Sequence, residues 1–150
     1  MLDFILYQSD QPSIPVEKEI ELIEGFIDLE TLRFGETLNV TFNHTIENNT
    51  AQISPLLLLP FVENAFKHGL AGNLENPTIK IDLKVSDEKL TFEIYNNKPQ
   101  AIAEEKKNIS GGIGTKNLAR QLELNYQGKY ELEVTDQIES YKVELTIDLK

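Results

Sequence analysis

Cysteine and tryptophan are absent from these 150 residues, and histidine occurs only at His44 and His68. Without thiols there is neither a disulfide framework nor a thiolate metal centre, and two imidazoles far apart in sequence do not make a zinc or iron site. Basic side chains are scarce as well: 14 Lys and Arg stand against 25 Asp and Glu, a net charge of -11. That balance repels polyanions, so nucleic acid and anionic membrane surfaces are excluded as partners unless a local basic patch intervenes, and none is visible. No apolar run reaches bilayer-spanning length, and Met1 is not followed by a basic segment leading into an apolar core. The chain therefore reads as cytosolic in character, held at a membrane only through segments outside it. GxSxG elbows and Walker lysine loops are also missing, which leaves hydrolase triads and P-loop chemistry without support.

What is present suffices for one core. Hydrophobic residues make up 40% and charged residues 26%, the balance of a folded domain, and the length suits a single globular unit. Val16, Ile20, Ile23 and Ile27 recur at helical spacing, with Leu22, Phe26 and Leu29 widening the stripe, so a helix is predicted to end near Gly35. So wide a stripe suits a helix packed on both a domain and a partner helix, although periodicity alone favours an ordinary core helix. Leu38, Val40 and Phe42 alternate as a strand does up to Ile46, and Asn48-Asn49-Thr50 breaks it. Ser54-Pro55 offers an N-cap and a first-turn proline for the next helix, and Gly69 a C-cap. Pro60 costs a hydrogen bond if it lies inside that helix, so a second reading starts the regular helix near Pro60, after an irregular lead-in over Leu56 to Leu59.

Ile79, Ile81, Leu83 and Val85, then Leu90, Phe92 and Ile94 after Ser86-Asp87-Glu88, predict a hairpin. Residues 98–112 lose all periodicity and read as a long loop. A helix is predicted over Ile113 to Tyr126 and two closing strands after Gln127-Gly128, through Tyr130, Leu132, Val134 and Tyr141, Val143, Leu145, Ile147. Paired strands with helices between them predict an α/β fold: a two-layer α/β sandwich with a mixed sheet and the helices on one face.

Two segments carry chemistry. On a helical wheel of about 100° per residue, Leu58, Leu59, Val62, Ala65 and Phe66 share one arc, while Glu63, Asn64, Lys67 and His68 share the opposite one. Alone, Glu63 and Lys67 read as a surface pair four residues apart, with Asn64 and His68 solvated. The second segment, Gly111-Gly112-Ile113-Gly114-Thr115-Lys116-Asn117, precedes a helix. Its glycines free backbone N–H groups to approach an anion at a helix start, though a hinge or cap reads as well from this segment alone.

In this order and spacing the two segments resemble the N-box and glycine-rich G-box of the ATPase superfamily shared by histidine kinases, gyrase and certain chaperones. The run from Ser54-Pro55-Leu56 through Pro60-Phe61-Val62-Glu63-Asn64-Ala65-Phe66-Lys67-His68-Gly69 is similar to the hallmark of the LytS-like sensor histidine kinases. Ile14-Pro15-Val16-Glu17-Lys18-Glu19 through Leu32-Arg33-Phe34-Gly35 resembles the segment preceding it there, and Gly112 to Leu118 the final box. The resemblance implies a Bergerat-type ATP fold with adenine between helices and sheet under a mobile lid, and ATP with Mg2+ as cofactors. It implies Asn64 as the magnesium ligand through its side-chain oxygen, and Glu63 as the residue orienting water or a nucleophile. Lys67 and His68 would meet phosphate oxygens, Gly69 would close the N-box, Gly112 and Gly114 would let the loop close on the triphosphate, and Thr115, Lys116 and Asn117 would lie beside it. Phosphoryl transfer needs mainly positioning and charge neutralisation, which these residue types supply.

It further implies residues 1–35 as a helical remnant of the dimerisation and phosphoacceptor region and 36–150 as the ATP-binding kinase domain. The partners implied are a phosphoacceptor helix of the same or a partner chain and a response regulator, in a dimeric parent protein. Two departures stand out. Where the family has an Asp that accepts from the adenine amino group, this chain has Asn96 in Tyr95-Asn96-Asn97-Lys98-Pro99, an acceptor without the carboxylate's charge. No histidine here matches the family's phosphoacceptor motif, so the chain is not expected to autophosphorylate alone. Asn96 also keeps open a scaffold module of the same fold without useful ATP binding, and a related protein-serine kinase of the anti-sigma type is the third reading.

Overall fold

The computed structural model describes residues 12–47, 50–70, 76–97 and 112–149, with 112–116 as helical backbone only. The elements run β1 (Ile14–Pro15), α1 (Val16–Phe34), β2 (Asn39–Ile46), β3 (Gln52–Ile53), α2 (Leu59–Gly69), β4 (Thr78–Ser86), β5 (Lys89–Asn97), α3 (Gly112–Tyr126), β6 (Tyr130–Asp136) and β7 (Ser140–Asp148). Five strands form one sheet in the order β2-β4-β5-β7-β6, with β2 parallel to β4 and the other neighbours antiparallel. The mixed sheet and the two-layer α/β arrangement agree with the sequence reading.

The period of two decides which face is covered. Ile79, Ile81, Leu83 and Val85 of β4, Leu90, Phe92 and Ile94 of β5, and Val143, Leu145 and Ile147 of β7 are all buried. They pack with Phe61, Val62, Ala65 and Phe66 of α2 and Leu118 and Leu122 of α3 in one core. The opposite face is polar. Asp82, Glu93, Glu144 and Glu133 are successive cross-strand partners, a row of carboxylates relieved by Lys142, whose Nζ lies 3.2 Å from both Glu93 and Glu144. Those carboxylates raise the Lys142 pKa, and the Lys142 hydrogen bond lowers that of Glu144. Exposed pairs of this kind contribute little to stability, and Lys80 and Lys84 stand on either side of Asp82 on the same face.

α1 covers the predicted span and ends at Gly35, whose φ of 108° favours glycine. Its first half is buried through Val16, Ile20, Leu22 and Ile23, while Leu29 and Leu32 near its end are exposed. Two features of its attachment were not predicted. The two-residue strand β1 pairs with β3, Ile14 opposite Ile53, and Val16 N–H donates to Ala51 C=O at 3.1 Å. The other feature is Glu19, fully buried, whose carboxylate accepts the backbone N–H groups of Leu56 (3.2 Å), Leu58 (2.8 Å) and Leu59 (3.1 Å).

Glu19 explains how α2 begins. Leu58, not Ser54, is the N-cap, and it has no side-chain cap of its own. Pro60 sits in the first turn, as the second sequence reading has it, and brings no N–H. Phe61 and Val62 donate to Leu58 C=O at 3.0 and 3.3 Å, so with Leu59 on Glu19 every first-turn N–H has an acceptor. Leu56, with φ of 57°, takes the left-handed conformation that helps turn these N–H groups inward as a nest for one carboxylate. At its other end α2 closes on β5: a Cβ built on Gly69 would lie 3.4 Å from Asn96 Cβ and 3.5 Å from Asn97 O.

Replacing Glu19 by Ala strands three backbone donors, two of them buried, so Glu19→Ala is expected to cost about 2–4 kcal/mol in denaturant unfolding. Burial raises the Glu19 pKa above 4.5, against the lowering effect of the Leu59, Leu58 and Leu56 N–H bonds, so the folded chain holds this proton more tightly than the unfolded one. The proton-linked part of its contribution is therefore fully present below pH 4.5 and is lost as pH rises through the raised value, while the three N–H bonds persist, and urea titrations should show native stability falling relative to Glu19→Gln over that window. At Gly69 a methyl group makes only ordinary contacts, so Gly69→Ala should leave the melting temperature near or slightly above that of the native chain. Gly69→Leu should lower stability by about 1–3 kcal/mol through displacement of Asn96.

Candidate functional site

The α2 wheel is realised as two faces. Leu59, Phe61, Val62, Ala65, Phe66 and Gly69 are buried, Glu63 and Lys67 are exposed, and Asn64 and His68 are half-buried between them. Although Glu63 is exposed as a residue, partial burial of its carboxyl raises its pKa. Because Glu19 and Leu58 already occupy the first-turn donors, this helix start is not offered to an external anion. Gly112 opens α3, so residues 112–117 of the glycine-rich segment form the first turns of the helix rather than preceding it.

Glu63 and Asn64 stand on the ridge between two clefts. One, of about 520 Å³, faces α1 and is lined by Phe26, Glu30, Arg33 and Lys67 besides them. The other, of about 260 Å³, faces α3 and joins them to Pro60, Asn117, Leu118 and Gln121. The N-box and the start of the G-box helix, over fifty residues apart in sequence, thus meet where Asn64 approaches Asn117. Gly112, Gly114, Thr115 and Lys116 lie in the first turns of α3, and their side chains, like Lys98 and the rest of 98–111, fall outside the described residues.

A second group forms at the C-terminal end of α2. His68 stacks on Tyr141 of β7 with ring centroids 5.2 Å apart and planes at 27°, and Tyr141 is the cross-strand partner of Asn96. Asn96 is fully buried against Gly69. Its Nδ2 donates to Asn97 C=O at 3.0 Å, which fixes the amide orientation, and its Oδ1 has no hydrogen-bond partner among the described residues. A buried acceptor left alone costs about 1–3 kcal/mol, so this atom calls for a donor. A larger cleft of about 870 Å³ lies elsewhere, at the β4–β5 turn, where Glu47, Asp87, Glu88, Glu131 and Asp148 make it a poor host for an anion.

Sequence reading missed three contributors. Glu19 lies within the apolar stripe, three residues after Val16 and four before Ile23, and a carboxylate at such a position signals a buried acceptor with donors waiting for it. Tyr126 at the end of α3 bonds the lead-in to α2, its hydroxyl 2.9 Å from Ser54 N and 3.1 Å from Ser54 Oγ. Tyr141 reads in the sequence as a residue of the second closing strand, and nothing in its alternation marks the stack on His68. No His, Cys, Asp and Glu grouping among the described residues could hold a metal on its own, and no described helix is long and apolar enough to cross a membrane.

No protein-family model matches the chain. Among characterised proteins it is 30% identical over 122 residues to the sensor protein LytS of Enterococcus faecalis, a match covering 75% of this chain and 20% of that protein. It is 27% identical over 128 residues to the sensor histidine kinase BtsS of Escherichia coli, covering 85% of this chain and 22% of that one. The chain thus spans about a fifth of the length of these relatives. Its fold is that of the catalytic domain of histidine kinase ThkA, with a TM-score of 0.62, 16% identity and coverage of 91% of this chain and 95% of that one. The histidine kinase domain of the blue-light activated kinase of Erythrobacter litoralis gives 0.62 at 17% identity, covering 93% and 69%. By sequence the chain is similar to the catalytic end of sensor histidine kinases of the LytS type, and its fold is that of histidine kinase catalytic domains.

Proposed function

We propose that this chain is the ATP-binding catalytic domain of a two-component sensor histidine kinase, which in the whole protein passes the γ-phosphoryl of ATP to a histidine other than His44 and His68. His44 lies on β2 with Nε2 3.3 Å from Glu24, and His68 is stacked on Tyr141, which supports neither as the acceptor. Residues 36–150 form the nucleotide-binding unit in this reading, and residues 1–35 join it to the dimerisation and phosphoacceptor region. The recipient of the phosphoryl group is a response regulator; the histidine kinase ThkA is itself known in complex with one.

The observation that carries the reading is the Asn96 Oδ1 atom, buried, without a hydrogen-bond partner among the described residues and held in orientation by Asn97. An acceptor so placed fits an exocyclic amino group such as that of adenine. At the other end of α2, Asn64 offers a neutral side-chain oxygen, which suits magnesium, a hard cation that keeps several waters. Glu63 beside it, with its raised pKa, is fitted to orient a nucleophile and accept its proton. Lys67 on the same face and Lys116 and Asn117 on α3 supply charge and donors for phosphate oxygens, and Gly112 and Gly114 permit close backbone approach at the α3 start. Bound Mg2+·ATP supplies the phosphoryl group and the metal charge; the protein residues position it and exclude water. The row of carboxylates on the outer face of the sheet lies on the side away from the helices.

The scaffold reading retains one supporting observation, that Asn96 lacks the charge of a carboxylate. Calorimetric titration with ADP and ATP, with and without magnesium, separates the two. The kinase reading expects saturable binding that magnesium strengthens, and at a hundredfold the dissociation constant a stabilisation of roughly 2.7 kcal/mol, or about 5–10 °C in melting temperature. Asn64→Ala should abolish the strengthening by magnesium. Absence of heat at millimolar nucleotide would favour the scaffold.

A further inference from the structure

Glu19 is the one fully buried ionisable side chain among the described residues, and nothing in the proposed chemistry uses it. We infer that Glu19 is a positioning residue for Asn64: by tying the start of α2 to the first turns of α1, it sets how Glu63 and Asn64 are presented to the cleft they share with Asn117. The inference rests on the reading of that cleft as a magnesium–nucleotide site.

The argument begins with what α2 lacks. A helix start is normally held by its own capping side chain, but Leu58 has none and Pro60 removes a donor. Glu19 replaces the cap from another helix, taking Leu58 and Leu59 on Oε1 and Leu56 on Oε2. The left-handed Leu56 is a strained conformation for a leucine, and such conformations persist only where the surroundings over-determine them. The surroundings here are two clasps on one short segment. On the α1 side, β1 pairs with β3 and Val16 N–H holds Ala51 C=O, so the entry to α1 and the entry to α2 move together. On the α3 side, the Tyr126 hydroxyl holds Ser54.

From Leu59 to Asn64 is five helical residues, a rigid rise of roughly 7–8 Å, so a rotation or slide at the helix start is carried undiminished to Asn64. The other end of α2 is seated independently of Glu19, with Gly69 buried against Asn96. Release of Glu19 would therefore disturb the Asn64 end more than the Asn96 end. It would be felt in the magnesium-dependent part of nucleotide affinity and spare the part that reads the base. A side chain that only adds stability would change neither in particular.

The test compares Glu19→Ala, Glu19→Gln and Val85→Ala, the last a buried position at the far end of β4 from Asn96 that serves as a control for lost stability. Each is titrated with ADP, with and without magnesium, well below its own melting temperature. Glu19→Ala is expected to weaken magnesium–ADP binding roughly tenfold or more while changing magnesium-free binding by no more than about twofold. Glu19→Gln keeps an acceptor for Leu58 and Leu59 and should recover most of the loss, and Val85→Ala should show none. Equal weakening of both forms, or no weakening in Glu19→Ala beyond that in Val85→Ala, overturns the inference. If the native chain binds no nucleotide, the site reading fails, and the positioning claim is decided separately by amide hydrogen exchange. Exchange over residues 62–65 should then rise about tenfold in Glu19→Ala relative to Val85→Ala, with 66–69 less affected, and equal protection in the two variants overturns it.

Discussion

A single buried carboxylate determines where the functional helix starts. Leu59 to Gly69 has a strong apolar face but a poor beginning, with no capping side chain and a proline in its first turn. Left to itself such a segment nucleates badly, because the first turn fixes several residues for few hydrogen bonds. Glu19 reaches in from α1 and completes the set of acceptors for the first-turn N–H groups. The residues 14–34 that carry it are consequently built into the core through Ile14, Val16, Ile20 and Ile23, while Leu29 and Leu32 extend past it into solvent.

With α2 anchored at its start by Glu19 and at its end by Gly69 against Asn96, its polar face is fixed over the seam between α1, α3 and the sheet. The two ends differ in chemistry. Glu63, Asn64 and Asn117 line a cleft open to solvent, whereas Asn96 is buried and uncharged, with Oδ1 unpaired among the described residues. A ligand matching both would be polar and anionic at one end and would carry a donor on a flat apolar body at the other, which describes a purine nucleotide with its phosphates. Around the β4–β5 turn, by contrast, carboxylates outnumber the lysines Lys89 and Lys129.

The elements legible in the sequence were those with a long period. Ile79 to Val85 and Leu90 to Ile94 declared a hairpin by strict alternation, and the wheel separated Leu58, Leu59, Val62, Ala65 and Phe66 from the polar face but left out Phe61, which is buried with them. What was not legible depends on partners distant in the chain. A two-residue strand such as Ile14–Pro15 has no period to detect, and its pairing with Gln52–Ile53 is a tertiary fact. Ser54 has the composition of an N-cap, but its amide bonds Tyr126 and the cap moves to Leu58. Asn96 reads as a weakened substitute for an acid, whereas burial and the bond to Asn97 keep it a well-oriented acceptor.

The central claim is that one ligand site runs along α2 from Asn64 to Asn96. Chemical-shift mapping of the isotope-labelled chain during titration with magnesium–ADP tests it most directly. The account predicts that the perturbed amides, and the Asn64 and Asn96 side-chain amides, cluster along Glu63 to Gly69, Asn96 and the start of α3. Perturbations centred on the β4–β5 turn cleft, or none at saturating nucleotide, would contradict it.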